Sequence, residues 1–380
     1  MTRDLLLIAI SLFFWGLGET SFIAYQPLYM QELGATPILI GGILGAFGLT
    51  SAISHIPAGL LADRFGRRPI MLSAWIIGLL ATGIMALSTD LSGFVFGVLL
   101  YGITLFVLAP LNSYVTTARG RWSVGRALTA VSASFNLGAI IGPLIGGYLG
   151  ESFGFRSIFL FATISFILST TIIFQIQPQP IETQTDGQSF QRLVNNRRFV
   201  SFLVILFIAV LAMYLSQPLT PNYLQDHAGF SFQSIGRVYS LSSLGVVVLS
   251  IILGMLDARL GFILGQVSVA LFTIIIWQQE GIVWYSLAFI LLGGYKAARA
   301  LAVAVSRDLI DSARMGAAYG VSETVGSIAM IVAPLLAGLL FDIKPEMVFA
   351  YSIVLILASI TISSLFMLRG PASSMVKRLN

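Results

Sequence analysis

Twelve apolar runs, each long enough to cross a bilayer, leave this chain few ways to fold. They lie at roughly 5–30, 37–61, 69–88, 91–115, 127–149, 156–176, 199–222, 232–256, 262–278, 282–305, 315–341 and 346–368. A hydrocarbon core takes about 20 apolar residues per spanning helix. Inside lipid every backbone polar group must be satisfied internally, so only helices and closed barrels cross. The runs are continuous rather than alternating, which disfavours a β-barrel. Charged residues are only 10% of the 380 and mean hydropathy is +0.92, where soluble chains carry about 25% charge. The prediction is an all-α, multi-pass membrane protein with twelve transmembrane helices and the lipid bilayer as its surroundings.

The net charge of +5 is informative through its distribution, and no nucleic-acid partner is expected from it. With the N-terminus in the cytoplasm, sixteen Lys and Arg residues fall inside and three fall outside, namely Arg156, Arg237 and Lys344. Such an excess follows the positive-inside rule and predicts that both termini are cytoplasmic. The remaining two cations, Lys296 and Arg299, lie within a span. The first run passes the length of a signal peptide and has no small-residue cleavage site, so it is read as helix 1. Without cysteine the chain has no thiolate metal site and no thiol nucleophile. His55 and His227 stand apart, with no metal-ligand spacing, so no metal is expected. No phosphate-binding loop is present, which argues against ATP-driven work. No enzymatic constellation and no cofactor are predicted.

The longest polar stretch, 178–198, holds Pro178, Pro180 and Gly187 and sits near the middle of the chain. It reads as a cytoplasmic linker between a six-helix unit at 1–177 and a second at 199–380. The two halves are weakly similar. Ile141–Leu149 matches Val332–Leu340 at an offset of 191, and Gly59–Gly66 matches Gly254–Gly261 at 195. Two matches at nearly one offset suggest a duplicated unit, with a site at the repeat interface near the midplane.

Two motifs carry the resemblance to a family. The turn Gly59-Leu60-Leu61-Ala62-Asp63-Arg64-Phe65-Gly66-Arg67-Arg68 could be a plain topology anchor. Its pattern, however, resembles the loop signature of the major facilitator superfamily of secondary transporters. That resemblance implies the superfamily's fold, two pseudo-symmetric six-helix bundles. It also implies a cytoplasmic gate at Gly59, Asp63, Arg64, Gly66, Arg67 and Arg68 that latches the two halves. The second motif is Gly138-x-x-x-Gly142-Pro143-x-x-Gly146-Gly147 in span 5. Small residues four apart allow close helix packing, and Pro143 can bend the helix. This run is similar to the superfamily's exchanger signature, seen in drug/proton antiporters. One departure stands out: many proton-coupled members carry an Arg in span 4, and Tyr101–Val115 contains none.

Ionisable groups inside spans are costly and are functional candidates by default. Glu19 shares a helical face with Trp15, Phe22 and Gln26, so an acid on an aromatic stripe is expected to line a cavity. Glu323 and Lys296 sit at similar depth, with Arg299 one turn from Lys296. Glu323 and Lys296 could pair, with Arg299 joining them or snorkelling to the interface, and Glu19, Glu323 and Lys296 form the candidate proton-coupling set. The candidate substrate site comprises Trp15, Glu19, Phe22, Gln26, Tyr101, Asn136, Gln217 and Lys296. Polar glue between helices is the competing role for Tyr101, Asn136 and Gln217.

The expected function is secondary transport by alternating access: proton-coupled antiport exporting amphipathic or cationic small molecules, by a monomer in a bacterial inner membrane. The alternative is proton-coupled uptake or exchange of an anionic metabolite held by Lys296 and Arg299.

Overall fold

The computed structural model describes residues 2–179, 196–307, 309–310 and 315–368. Among them are twelve helices long and apolar enough to cross a membrane, and no strand. We number them α1 (Arg3–Ile23), α2 (Pro37–Phe65), α3 (Arg67–Leu87), α4 (Leu91–Ala118), α5 (Val124–Phe153) and α6 (Phe155–Ile173). The second half supplies α7 (Arg197–Leu215), α8 (Phe232–Gly254), α9 (Ala258–Gln278), α10 (Ile282–Leu292 continuing as Gly294–Arg307), α11 (Met315–Ile343) and α12 (Pro345–Leu368). Most of the polar stretch 178–198 lies outside the described residues.

Four spans are broken, at matched places in the two halves. Proline lacks an N–H and its ring clashes with the carbonyl four residues earlier. Pro27 therefore ends α1 at Ile23, and a short helix Gln26–Glu32 follows. In the second half Pro218 and Pro221 end α7 at Leu215, and the short helix Thr220–Asp226 follows. In α4, Pro110 stands four residues after Phe106, and Thr104–Val107 tightens into a 3₁₀ turn. α10 breaks at Gly293, where the α8 backbone at Gly245 approaches too closely for any side chain. Discontinuous helices of this kind form the central sites of transporters.

We call the end bearing Arg3, Gly66 and Gln179 proximal, and the other distal. The halves meet in the distal part of the molecule. α2 packs on α11 there, with Pro37 against Gly338 and Gly45 against Ile331. α5 packs on α8, and the Ser240 hydroxyl donates to the Ile140 carbonyl at 2.6 Å. The Tyr25 hydroxyl bridges the halves, lying 3.2 Å from the Pro143 carbonyl and 3.0 Å from that of Phe232. Gln31 donates to Asp226 at 2.8 Å, and Asn222 donates to Gln31 and to the Pro27 carbonyl. These hydrogen bonds and helix contacts close the halves on each other distally.

Tyr25→Phe keeps the ring and removes this bridge. A net hydrogen bond is worth about 1 kcal/mol, so the ratio of distally closed to distally open molecules should fall about fivefold. Distance measurements between spin labels on the short helices Gln26–Glu32 and Thr220–Asp226 would read the change. An unaltered distribution would show that the tyrosine merely fills space.

Candidate functional site

Glu19 sits on α1 half a turn before Ser21 and one turn after Trp15. Its polar neighbours are the Tyr101 hydroxyl and the Trp15 indole, and the charge that acts on it most strongly is Lys296 of α10. Acid and lysine belong to opposite halves. Lys296 is exposed, and among the described residues it makes no ion pair. The break at Gly293 lies three residues before it, and Tyr101 lies three residues before the break in α4. The two charged or polar groups are therefore held beside helix interruptions, where the chain turns inward.

Of the two cations that could reach Glu323, Arg299 donates to it at 2.7 Å, and the acid whose charge acts on Lys296 is Glu19. Arg299 follows Lys296 by three residues, so the two cations are neighbours on one face of α10, one turn apart along its axis. The longer, forked guanidinium also reaches Met330 at 3.3 Å. The Arg299–Glu323 pair is open to solvent, with side-chain exposures of 23% and 56%. Exposed pairs of this kind contribute only about 0–1 kcal/mol.

The aromatic stripe on α1 is also oriented differently from the expected cavity wall. Phe22 is fully buried, packed on Tyr101 and Phe159 at centroid distances of 5.3 and 5.8 Å. Trp15 is buried against Trp75 at 4.9 Å and Phe166 at 4.2 Å. Its indole needs the missing side chain of Gly78, where a Cβ would stand 2.5 Å from the ring. These rings knit α1 to α3, α4 and α6. Glu19 lies between them, with aromatic packing behind it and the interface in front. Tyr101 is buried with them.

Gln26 and Gln217 come together across the halves. Both line a cavity of about 210 Å³ with Phe47, Tyr214 and Tyr239, beneath the distal closure. The Gln217 amide donates to the Met213 carbonyl at 2.8 Å, and Gln26 is buried with its amide 3.9 Å from Met85 sulfur. Asn136 stays on its own helix, donating to the Ser132 carbonyl at 2.8 Å. Sequence reasoning missed two features. Tyr214 and Tyr295 stack at 5.7 Å, and the Tyr295 hydroxyl lies beside the Arg299 guanidinium. Ser11, Ser169 and Trp75 form a buried network at 2.8–2.9 Å that joins α1, α3 and α6. Their positions on separate spans gave no local signal.

The glycines of α5 work as expected from their spacing. Backbone atoms of α1 crowd Gly138, Gly142 and Gly146, while Gly147 meets the Phe232 carbonyl of α8. Pro143 lies inside the helix, with its carbonyl facing Tyr25. At the proximal turn, Gly66 adopts φ 87° and joins α2 to α3. Arg68 donates to the carbonyls of Ile176 at 2.7 Å and Phe174 at 3.0 Å, and Arg67 to Thr117 at 2.9 Å. Arg64 is exposed over the Phe65 ring. These three bonds all stay within the first half. Gly59 and Asp63 belong to α2, and the Asp63 side chain lies outside the described residues. In the second copy, Asp257 caps the start of α9 by accepting from the Arg259 amide at 3.0 Å.

Known proteins place this architecture. The nucleoside transporter NupG superimposes with a TM-score of 0.79 over 96% of this chain and 98% of its own, at 14% identity. A POT family transporter in complex with 5-aminolevulinic acid gives 0.78 over 98% and 97%, at 15% identity. At such identities the likeness is one of fold. In sequence, Multidrug resistance protein 2 of Bacillus subtilis (strain 168) is 26% identical over 356 residues, covering 88% of each chain. Quinolone resistance protein NorA of Staphylococcus aureus (strain MSSA476) is 23% identical over 366 residues, covering 91% of this chain and 92% of that one. These relatives are transporters rather than enzymes, and they are of the drug-efflux branch. A family model matches residues 8–294 and 202–379, and with twelve spans closed at one end around a central acid and lysine, this chain belongs to the Major Facilitator Superfamily.

Proposed function

We propose that the protein exports amphipathic or cationic small molecules in exchange for protons, by alternating access. The observation that carries the reading is Glu19, an acid held between aromatic packing and the interface, with its strongest charge partner on the opposite half. A carboxylate so placed can exchange Lys296 for a proton or for a cationic ligand. Each exchange changes the attraction between the halves, which links proton binding to their rocking. The kinship with multidrug resistance proteins supports export. In this reading residues 1–177 and 199–380 move as two bundles joined by 178–198. The proximal end faces the cytoplasm of the cell, in line with its arginines, and the structure represents the inward-facing state. Gly59, Asp63 and Arg64–Arg68 would close that end in the other state.

The anionic-metabolite alternative retains one support, Lys296, which makes no ion pair among the described residues. Arg299 is already engaged by Glu323 and is a poorer anion ligand than its sequence position suggests. Proteoliposomes under an imposed proton gradient test the proposal. A lipophilic cation should accumulate against its own gradient only while protons flow the other way. Accumulation that ignores the proton gradient would rule out antiport.

A further inference from the structure

The seam between α2 and α11 loosens toward the proximal end. A Cβ on Gly41 would overlap the Pro334 carbonyl, one on Gly45 would stand 2.9 Å from the Ile331 carbonyl, and one on Gly48 would stand 3.4 Å from that of Met330. Exposure follows the same gradient on both helices. Gly41 and Gly45 are buried, Gly48 and Ala52 are half-buried, and His55 is exposed. Across the seam Gly338 and Pro334 are buried, Ile331 and Ser327 are half-buried, and Glu323 is exposed. Residues three or four apart share a helix face. The α2 face of Gly41, Gly45 and Gly48 therefore continues through Ala52 to His55, and that of Pro334 and Ile331 continues through Ser327 to Glu323. His55 and Glu323 stand about two turns beyond Gly48 and Ile331 on their helices. Between them, Ala52 and Ser327 are small and leave the helices free to approach.

The two groups suit each other chemically, and Glu323 is the charge that acts on His55. Glu323 is held from its own half by Arg299 at 2.7 Å. A carboxylate accepts several hydrogen bonds, and an imidazole, neutral or protonated, always has an N–H to donate. We infer that His55 and Glu323 are a proximal latch. When the distal end opens, the α2–α11 seam closes down to them, and the His55 imidazole donates to the Glu323 carboxylate while Arg299 keeps its hold. The inference rests on the alternating-access reading, and on no particular substrate or coupling ion. It sets the latch one turn ahead of Gly59, where the loop signature begins.

The chain has no cysteine, so an introduced pair can time the closing. The reporter belongs to the other seam, away from the latch. There α5 and α8 meet at Ile140 and Ser240. About three turns further toward the proximal end on each helix lie Thr129 and Ile251, both exposed. In the full chain carrying Thr129→Cys and Ile251→Cys, in nanodiscs, oxidation should join the two when the proximal end closes, because a disulfide needs Cα atoms within about 7 Å. His55→Leu should slow the joining about fivefold, the weight of one net hydrogen bond. His55→Lys, which restores a donor, should return the original rate. Glu323→Ala should slow it by the same factor, and adding His55→Leu to that variant should slow it no further. No disulfide in the chain with His55 and Glu323 intact, an unchanged rate in His55→Leu, or effects that multiply in the double variant would each overturn the latch. Transport is not measured, so the outcome is independent of the antiport proposal.

Discussion

Glu19→Gln is expected to abolish proton-driven transport while leaving the folded protein intact. Glutamine keeps the shape of the side chain and can still meet the Tyr101 hydroxyl and the Trp15 indole. It cannot carry a charge or exchange a proton. Uphill accumulation should fall by about 100-fold or more, the scale expected when a proton-transferring group is removed. Downhill exchange of a neutral amphipath should persist, because the cavity walls remain. The result also discriminates between the two readings of the centre. If Lys296 holds an anionic substrate, Lys296→Gln should remove binding and Glu19→Gln should spare it. If Glu19 couples protons, Glu19→Gln is the more damaging change, and Lys296→Gln alters the pH dependence instead. Transport in Glu19→Gln proteoliposomes that still follows an imposed proton gradient would remove Glu19 from the coupling role.

Placing a side chain at Gly146 should be the most damaging substitution for stability. A Cβ there overlaps the Ser21 carbonyl and comes within 3.0 Å of the Tyr25 ring. One turn back, a Cβ at Gly142 stands 2.5 Å from the Leu17 carbonyl, and at Gly138 it stands 2.6 Å from the Leu17 amide nitrogen. Backbone atoms cannot rotate away as side chains do, so α1 must separate from α5 along its length. Overpacking costs about 1–3 kcal/mol where side chains can adjust, and Gly146→Val should lie at or beyond the top of that range. Gly42→Ala is the control. That glycine is inside α2 with nothing near its Cβ position, and alanine is favoured over glycine in a helix by about 1 kcal/mol. Thermal unfolding in detergent should show a large loss for Gly146→Val and none for Gly42→Ala. Equal melting of the two would mean that the α1–α5 contact yields more readily than its geometry implies. Because α5 also carries the contact to α8, milder changes such as Gly147→Ala should impair the distal closure before they unfold the chain.

The twelve spans were legible because lipid imposes one requirement on every residue of a crossing helix, and length and hydropathy register it locally. The small-residue face of α5 was legible for a similar reason: a four-residue spacing places Gly138, Gly142 and Gly146 on one side whatever they meet. The helix breaks were present in the sequence as Pro27, Pro110 and Pro221, although a hydropathy reading runs straight through them. The site was only partly legible. Glu19 and Lys296 drew notice because charge in a span is costly. That Arg299 rather than Lys296 takes Glu323 depended on how α10 packs beside α11. That Trp15 and Phe22 turn into the first half depended on the space left by Gly78 and on the neighbouring aromatic rings.

By itself, then, the sequence determined that this chain spans a membrane twelve times, and its two motifs pointed to its superfamily. Both are properties of local composition and spacing, which survive without knowledge of any partner. The tertiary structure decided which end is closed, which charges face one another, and which aromatics pack rather than line the central space.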